Sequence, residues 1–147
     1  MNRANPTAIG IVTLAIMWVT PSNVAARACA PLQPIGVEYS QSSAVFLGRV
    51  ASLRTEGTPT DLSRVYTIAT FEVEKQWKGP GSRTIEVRTC GGGTVICTVG
   101  FTFQVGEKYL VFANGKGHET TSCGRTTTLR NATDTLNWLD RSKKNTG

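Results

Sequence analysis

Short apolar runs separated by Gly, Pro and Ser make up most of the chain after residue 43, and their composition is typical of β-strands. The predicted strands cover residues 44–53, 65–74, 84–89, 107–113 and 120–123. The third of these alternates apolar and charged residues, so we expect one of its faces to be exposed. The Thr-, Gly- and Pro-containing segment 55–61 predicts the loop of a hairpin between the first two strands.

Helical patterns occur only at the two ends of this strand-rich region. A short helix is predicted over residues 36–43, after Pro34. A longer one is predicted over residues 131–141, with Asn131 as its N-cap and with Leu136 and Leu139 on one face. Together these elements predict a mainly β fold with a short N-terminal and a longer C-terminal helix. We expect the strands to form a small barrel, because closure removes exposed strand edges.

The first 28 residues have the composition of a secretory signal peptide. Arg3 precedes an apolar run at residues 8–19, which is too short to span a bilayer comfortably. Small residues then predict cleavage after Ala26 or after Ala28, and lipidation of Cys29 is a further alternative. We therefore expect a secreted or otherwise extracytoplasmic protein, in the periplasm or at a cell surface, with no transmembrane segment once the signal peptide is removed.

Composition places the remainder, residues 29–147, in one domain. The chain has 147 residues, of which 39% are hydrophobic and 18% charged, enough for a packed core. The formal net charge of +6 falls by two, to +4, when Arg3 and Arg27 are removed with the signal peptide. The remaining cations are scattered, with only three of them close together near residues 141–144. This distribution does not favour a nucleic-acid partner.

Few side chains are suited to catalysis. The single histidine, His118, excludes a multi-histidine metal site, and no nucleophile motif accompanies it. Glu72 and Glu74 share one strand face, but nearby lysines favour a solvated surface over a pair of catalytic carboxylates. The glycine run at 91–93 lacks the Lys-Ser/Thr of a phosphate-binding loop. We expect no enzymatic activity, no catalytic residues, no cofactor and no metal ion of the protein's own.

The four cysteines predict two disulfides, because an exported domain of this size folds in an oxidising compartment. The sequence permits three pairings. Cys90 and Cys97 flank the glycine run and could close a short loop, which would leave Cys29 to pair with Cys123. A zinc site built from Cys90 and Cys97 would need the other two cysteines or His118, and an oxidising compartment does not favour it.

Several short motifs follow one another along the chain. They are Cys29-Ala30-Pro31, Ala44-Val45-Phe46-Leu47-Gly48-Arg49-Val50, Val73-Glu74-Lys75-Gln76-Trp77-Lys78-Gly79, Cys97, Phe103-Gln104-Val105-Gly106-Glu107-Lys108-Tyr109-Leu110-Val111, Ser122-Cys123 and Arg125-Thr126. In this order they resemble the tissue inhibitors of metalloproteinases and the wider group of netrin modules. The resemblance covers residues 29–140 and implies an OB-fold barrel of five strands with flanking helices.

In the inhibitors the mature chain begins Cys-x-Cys-x-Pro, and the amino group and carbonyl of the first cysteine bind the zinc ion of the target protease. Here Cys29, Ala30 and Pro31 match the second part of that motif, and Arg27 stands in place of the first cysteine. Either the zinc-binding residue is missing, or Cys29 replaces it at a new N-terminus. The resemblance therefore implies that Cys29, Ala30 and Pro31 contact a protease.

The resemblance also implies a disulfide pairing. In the family the second cysteine of the motif joins the late one, which corresponds to Cys123. The partner that Cys97 has in the family is absent, and Cys90 is a nearby replacement. This favours Cys29–Cys123 with Cys90–Cys97 over Cys29–Cys97 with Cys90–Cys123.

These observations predict an exported, non-enzymatic OB-fold binding module that acts on an extracytoplasmic protein. One alternative is an active inhibitor that inserts Cys29-Ala30-Pro31 into the cleft of a zinc metalloproteinase. A second is an OB-fold that binds oligonucleotides or oligosaccharides. Aromatic side chains could then stack against the ligand, and the candidates are Phe71, Phe101, Phe103 and Tyr109.

Overall fold

The computed structural model describes residues 29–58, 60–61, 65–92 and 97–145. The predicted signal peptide and its cleavage sites lie outside the described residues. The elements are helix α1 (Ile35–Gln41), strands β1 (Ala44–Glu56), β2 (Tyr66–Lys78), β3 (Thr84–Cys90), β4 (Lys108–Ala113) and β5 (Thr127–Thr128), a 3₁₀ turn (Leu129–Asn131) and helix α2 (Thr133–Lys144). The mainly β fold with a short N-terminal and a longer C-terminal helix is confirmed.

One antiparallel sheet contains all five strands in the order β3-β2-β1-β4-β5. The predicted barrel closure is not confirmed, because no ladder joins β3 to β5 within the described ranges. A single parallel bridge between Arg88 and Glu119 links β3 to the turn after β4. In it the Arg88 amide donates to the His118 carbonyl at 3.1 Å.

The two faces of β1 and β4 enter two different cores, as the two-residue period of a strand requires. On one face Phe46 and Val111 pack around Phe71, whose ring meets that of Phe46 edge-on at 5.4 Å. On the other face Val45 and Phe112 pack against residues of α2. All four side chains from β1 and β4 are at most 2% exposed. The central strands are therefore buried on both sides.

A close approach between the backbones of β1 and β2 explains why residue 48 is a glycine. A Cβ atom at Gly48 would lie 2.8 Å from the Glu72 carbonyl oxygen and 3.3 Å from the Phe46 ring. The ladder register shifts between Leu47 and Gly48, so the strands are irregular at this point. The glycine lets the two backbones approach without displacing the core aromatic ring.

The fifth strand was wrongly predicted at residues 120–123. Thr120 is buried, and its hydroxyl donates to the Phe112 carbonyl at 3.1 Å and contacts the Thr126 hydroxyl at 2.7 Å. These side-chain bonds hold residues 121–125 in a turn, and the strand forms later, at Thr127–Thr128. Thr120 and Thr121 have high strand propensity, but the hydrogen bonds of the Thr120 hydroxyl favour a turn after this position.

The predicted N-cap of the C-terminal helix is also wrong. Asn131 ends the 3₁₀ turn, and Ala132 occupies the N-cap position without a side-chain hydrogen bond. Ala132 is completely buried in the second core, so packing fixes the start of α2. The starts of β1 and β3 and the end of β4 agree with the prediction. The other boundaries differ from it by one to four residues, β1 and β2 being longer than expected.

Candidate interaction site: the N-terminal segment

Residues 29–33, which we call the N-terminal segment, lie on the surface before α1. All five residues are exposed, and Leu32 is 57% exposed. Pro31 within the segment and Pro34 after it restrict the backbone to extended conformations. Within the described part of the chain, Ala30, Pro31 and Leu32 make no backbone–backbone hydrogen bond. The segment therefore presents both apolar side chains and unpaired peptide groups.

The N-terminal segment is nevertheless attached at both ends. At its start Cys29 forms a disulfide with Cys123, with the two Cα atoms 5.2 Å apart. At its end the Arg125 guanidinium donates to the Gln33 carbonyl. Both attachments come from the turn that precedes β5.

The same turn is joined to α1 by a mostly buried ion pair. Arg125 Nε lies 3.0 Å from Glu38 Oε2, with the two side chains 18% and 13% exposed. The backbone amide of Arg125 also donates to Glu38 Oε1 at 2.8 Å. The Glu38 carboxylate thus forms an ion pair with the Arg125 guanidinium and accepts a hydrogen bond from the Arg125 backbone amide. Both contacts fix the turn before β5 relative to α1.

A shallow hollow of about 210 Å³ lies beside the N-terminal segment. Its lining residues are Ala30, Pro31, Leu32, Gln33, Glu38, Gln41, Asn114 and Cys123. It combines apolar side chains with amide groups and one carboxylate. The predicted contact residues Cys29, Ala30 and Pro31 thus lie together at one exposed site.

The second disulfide joins Cys90 at the end of β3 to Cys97, with Cα atoms 5.8 Å apart. Both pairings agree with those that the family resemblance favours. All four cysteines are disulfide-bonded, so none is a thiolate for the zinc site considered as an alternative. Gly92 has a φ of 152°, and a Cβ atom there would lie 2.8 Å from Thr67 Oγ1, so the chain leaving Cys90 requires glycine.

The aromatic side chains considered for stacking belong to the core. Phe71, Phe103 and Tyr109 are at most 5% exposed, and Phe101 is half-buried. Their rings contact one another, with Phe103 and Tyr109 edge-on at 5.1 Å and Phe101 and Phe103 at 4.7 Å. Buried rings cannot stack on a base or a sugar, so of the residues proposed for the oligonucleotide- or oligosaccharide-binding alternative only Phe101 is partly exposed.

His118 and Glu74 make structural contacts. His118 has a φ of 48°, and its Nδ1 lies 3.1 Å from the Ser43 hydroxyl, which is also 3.1 Å from the Ala113 carbonyl. Glu74 pairs with Lys108 at 2.8 Å on the sheet surface. In the described ranges, no three His, Cys, Asp or Glu side chains lie close enough together to bind a metal ion.

The shifted pKa values belong to surface ion pairs away from the N-terminal segment. Hydrogen bonds from Lys75 and from the Trp77 indole hold the pKa of Asp140 below its ordinary value. The Arg54 guanidinium lowers the pKa of Glu86 in the same way, and Arg54 Nη1 lies 2.6 Å from its carboxylate. These groups tie β1 to β3 and β2 to α2, which is a structural role.

The sequence patterns did not identify Glu38 and Arg125 as contributors to the site. Their backbone–carboxylate contact spans 87 residues, so no local spacing could indicate it. The only sequence signal for this part of the site is the motif order, which places Arg125 just after Cys123.

Comparison with known proteins adds no family assignment. No family model matches the chain, and no curated protein matches it. The resemblance to the netrin modules and metalloproteinase inhibitors therefore stays a prediction from the ordered motifs. Among the described residues, no helix is long and apolar enough to cross a bilayer.

Proposed function

We propose that the protein is an exported, non-enzymatic binding module that docks onto another protein through the N-terminal segment. The observation that carries this proposal is the combination of exposure and attachment at residues 29–33. The segment offers apolar side chains and unpaired peptide groups, and the Cys29–Cys123 disulfide and Arg125 hold it from both ends. A segment held in this way loses little conformational entropy on binding, which favours affinity.

The exposed peptide groups indicate how such a partner would be bound. An extended segment with unpaired N–H and C=O groups can add to a strand or lie in a cleft of a partner, which then receives alternate side chains in pockets. Ala30 and Leu32 are the alternate side chains, and Leu32 offers the larger apolar surface. The two disulfides support an extracytoplasmic location, since such bonds persist in oxidising compartments.

Site-specific photo-crosslinking in the extracytoplasmic fraction tests this proposal. A photoreactive residue replaces Leu32 in one variant and Val105, which is 61% exposed on a different turn, in the matched control. We expect a saturable cross-linked protein at position 32 that unlabelled protein competes away, and none at position 105. Equal cross-linking at both positions, or none at position 32, would refute the proposal.

The second candidate function is inhibition of a zinc metalloproteinase. It is favoured by Cys29, which is exposed and disulfide-bonded, and which lies two residues after the position that the resemblance gives to the zinc-binding cysteine. If processing leaves Cys29 first, its amine would be the zinc ligand, and one added residue would displace it. We expect inhibition of a zinc endopeptidase by the chain beginning at Cys29 and its loss in a chain beginning one residue earlier. An extended chain that inhibits equally well rules this candidate out.

A further inference from the structure

Asn114, in the turn after β4, is the only asparagine of the chain that is directly followed by glycine. Asn114 and Gly115 are both exposed, and Gly115 has a φ of 67°, which a glycine adopts without strain. The backbone nitrogen that follows an asparagine can attack the carbon of its side-chain amide. Glycine leaves this nitrogen accessible, because it has no side chain beside it.

The turn holds the backbone of Asn114 but leaves the attacking nitrogen free. The amide and the carbonyl of Asn114 both form hydrogen bonds with the backbone of Glu119, each at 2.8 Å. The Gly115 carbonyl accepts a hydrogen bond from the His118 amide at 3.3 Å. The Gly115 amide, by contrast, donates no hydrogen bond within the described part of the chain. Its nitrogen is therefore available to react with the Asn114 side chain.

Asn131 and Asn137 are also exposed but lack this arrangement. The amide after Asn131 belongs to Ala132 and donates to the Leu129 carbonyl at 3.1 Å. The residue after Asn137 lies within α2, where each backbone amide bonds to a carbonyl one turn earlier. In both cases the following nitrogen carries a hydrogen bond and lies beside a side chain. These two asparagines are therefore internal controls for Asn114.

We propose that Asn114 deamidates spontaneously and that this modification weakens docking through the N-terminal segment. The Gly115 nitrogen forms a bond to Cγ of Asn114 while the bond from Cγ to Nδ2 breaks, and the side-chain nitrogen leaves as ammonia with the Gly115 amide proton. Water then opens the five-membered succinimide at one of its two carbonyl carbons and leaves aspartate or isoaspartate. The net reaction converts a side-chain amide and water into a carboxyl group and ammonia, so it needs no oxidant and no enzyme.

The new carboxylate would lie beside the N-terminal segment, because Asn114 lines the same hollow as Pro31 and Leu32. Among the described residues that line this hollow, Glu38 is the one charged side chain, and it is paired with Arg125. A partner that covers the segment would remove water from the additional charge, which disfavours binding. This effect rests on the proposed docking function, whereas the chemical step does not.

Peptide mapping by mass spectrometry tests the chemical step in the exported protein. The folded protein is incubated in mildly alkaline buffer, and each sample is digested at acidic pH, where deamidation is slow. We expect deamidation at Asn114 to be more than about tenfold faster than at Asn131 or Asn137 in the same molecules, because a glycine follows it. A rate at Asn114 no higher than at the other two positions would overturn the proposal and leave the docking function untouched.

Photo-crosslinking from position 32 in the extracytoplasmic fraction tests the effect on docking. N114D introduces the charge of the product. N131D adds the same charge near the other end of β4, where Arg130 pairs with Glu107. We expect the yield of cross-linked partner to fall about tenfold in N114D and to stay unchanged in N131D.

Equal yields in the two variants, whether lowered or not, would overturn the effect of deamidation on docking. The absence of any cross-link while Asn114 is intact would refute the docking function itself, and the regulatory effect with it. Mapping of the same samples would still report whether Asn114 deamidates, so the failure of the docking function and the failure of the chemical step are distinguishable.

Discussion

The two disulfides close loops of very different length, and this difference predicts their separate contributions to stability. Cys29 and Cys123 are 94 residues apart, whereas Cys90 and Cys97 are 7 apart. A disulfide stabilises a protein mainly by restricting the unfolded chain, and the restriction grows with the logarithm of loop length. Replacing one pair of cysteines by serines therefore measures how much the closure of one loop contributes to stability.

The chain-entropy relation gives about 4.7 kcal/mol for the long loop and about 2.4 kcal/mol for the short one at 25 °C. The C29S/C123S variant should therefore be less stable than the C90S/C97S variant by roughly 2 kcal/mol. It should also free the start of the N-terminal segment, whereas the C90S/C97S variant leaves that segment attached.

Urea unfolding followed by circular dichroism gives the free energies of unfolding of the two variants. The comparison requires that the slope of the unfolding free energy against urea concentration be the same in both. Mass spectrometry under non-reducing conditions establishes that the remaining disulfide is intact. The reasoning is refuted if C90S/C97S costs as much as C29S/C123S or more. Loop length would then not be the main source of stabilisation.

Three further substitutions test contacts within the fold. E38Q should lower the free energy of unfolding by about 2–3 kcal/mol, because it leaves the mostly buried Arg125 guanidinium without its ion-pair partner. E74Q breaks an ion pair on the sheet surface and should lower the free energy of unfolding by less than about 1 kcal/mol. Similar losses in urea unfolding would show that burial is unimportant. Because its hydrogen bonds lower the pKa of Asp140 in the folded state, this residue stabilises the protein above its ordinary pKa of 3.8 and loses that contribution as the pH falls through the lower folded value. Urea midpoints at pH 6 and pH 3 should therefore differ less in D140N than in the unmodified protein, and an unchanged difference would contradict the assignment. G48A should lower the free energy of unfolding by about 1–3 kcal/mol, because its Cβ atom would lie 2.8 Å from a backbone carbonyl oxygen. G117A, whose Cβ atom would have no neighbour nearer than 3.8 Å, should change thermal stability little. Equal effects of the two substitutions would refute the steric argument.

The strands and helices that enter the two cores could be predicted from the sequence. Val45 and Phe46 are neighbours that face opposite cores, and the apolar run around them indicates a strand buried on both sides. The end of β1 was harder to place, because residues 51–55 are all exposed and the polar Arg54 and Thr55 lead directly into the Gly- and Pro-containing segment. Its pairing with β2 extends the strand to Glu56.

The remaining features depend on contacts between distant residues. Thr120 and Thr126 form a turn through buried hydroxyls, so the pattern there resembled a strand. Cys29, Ala30 and Pro31 are exposed, and their role as contact residues stays a prediction from the motif order. The attachment of that segment by Arg125 and Glu38 depends on tertiary packing, which no local pattern reports.

The most direct test of the account measures how the N-terminal segment contributes to the affinity for the cross-linked partner. Isothermal titration calorimetry compares L32E with V105E, two substitutions at exposed positions that should leave the fold intact. Because burial of a leucine side chain contributes about 1.5–3 kcal/mol, we predict that L32E weakens binding about tenfold to 100-fold and that V105E leaves it unchanged. Equal affinity of the two variants would contradict the claim that the protein binds through residues 29–33.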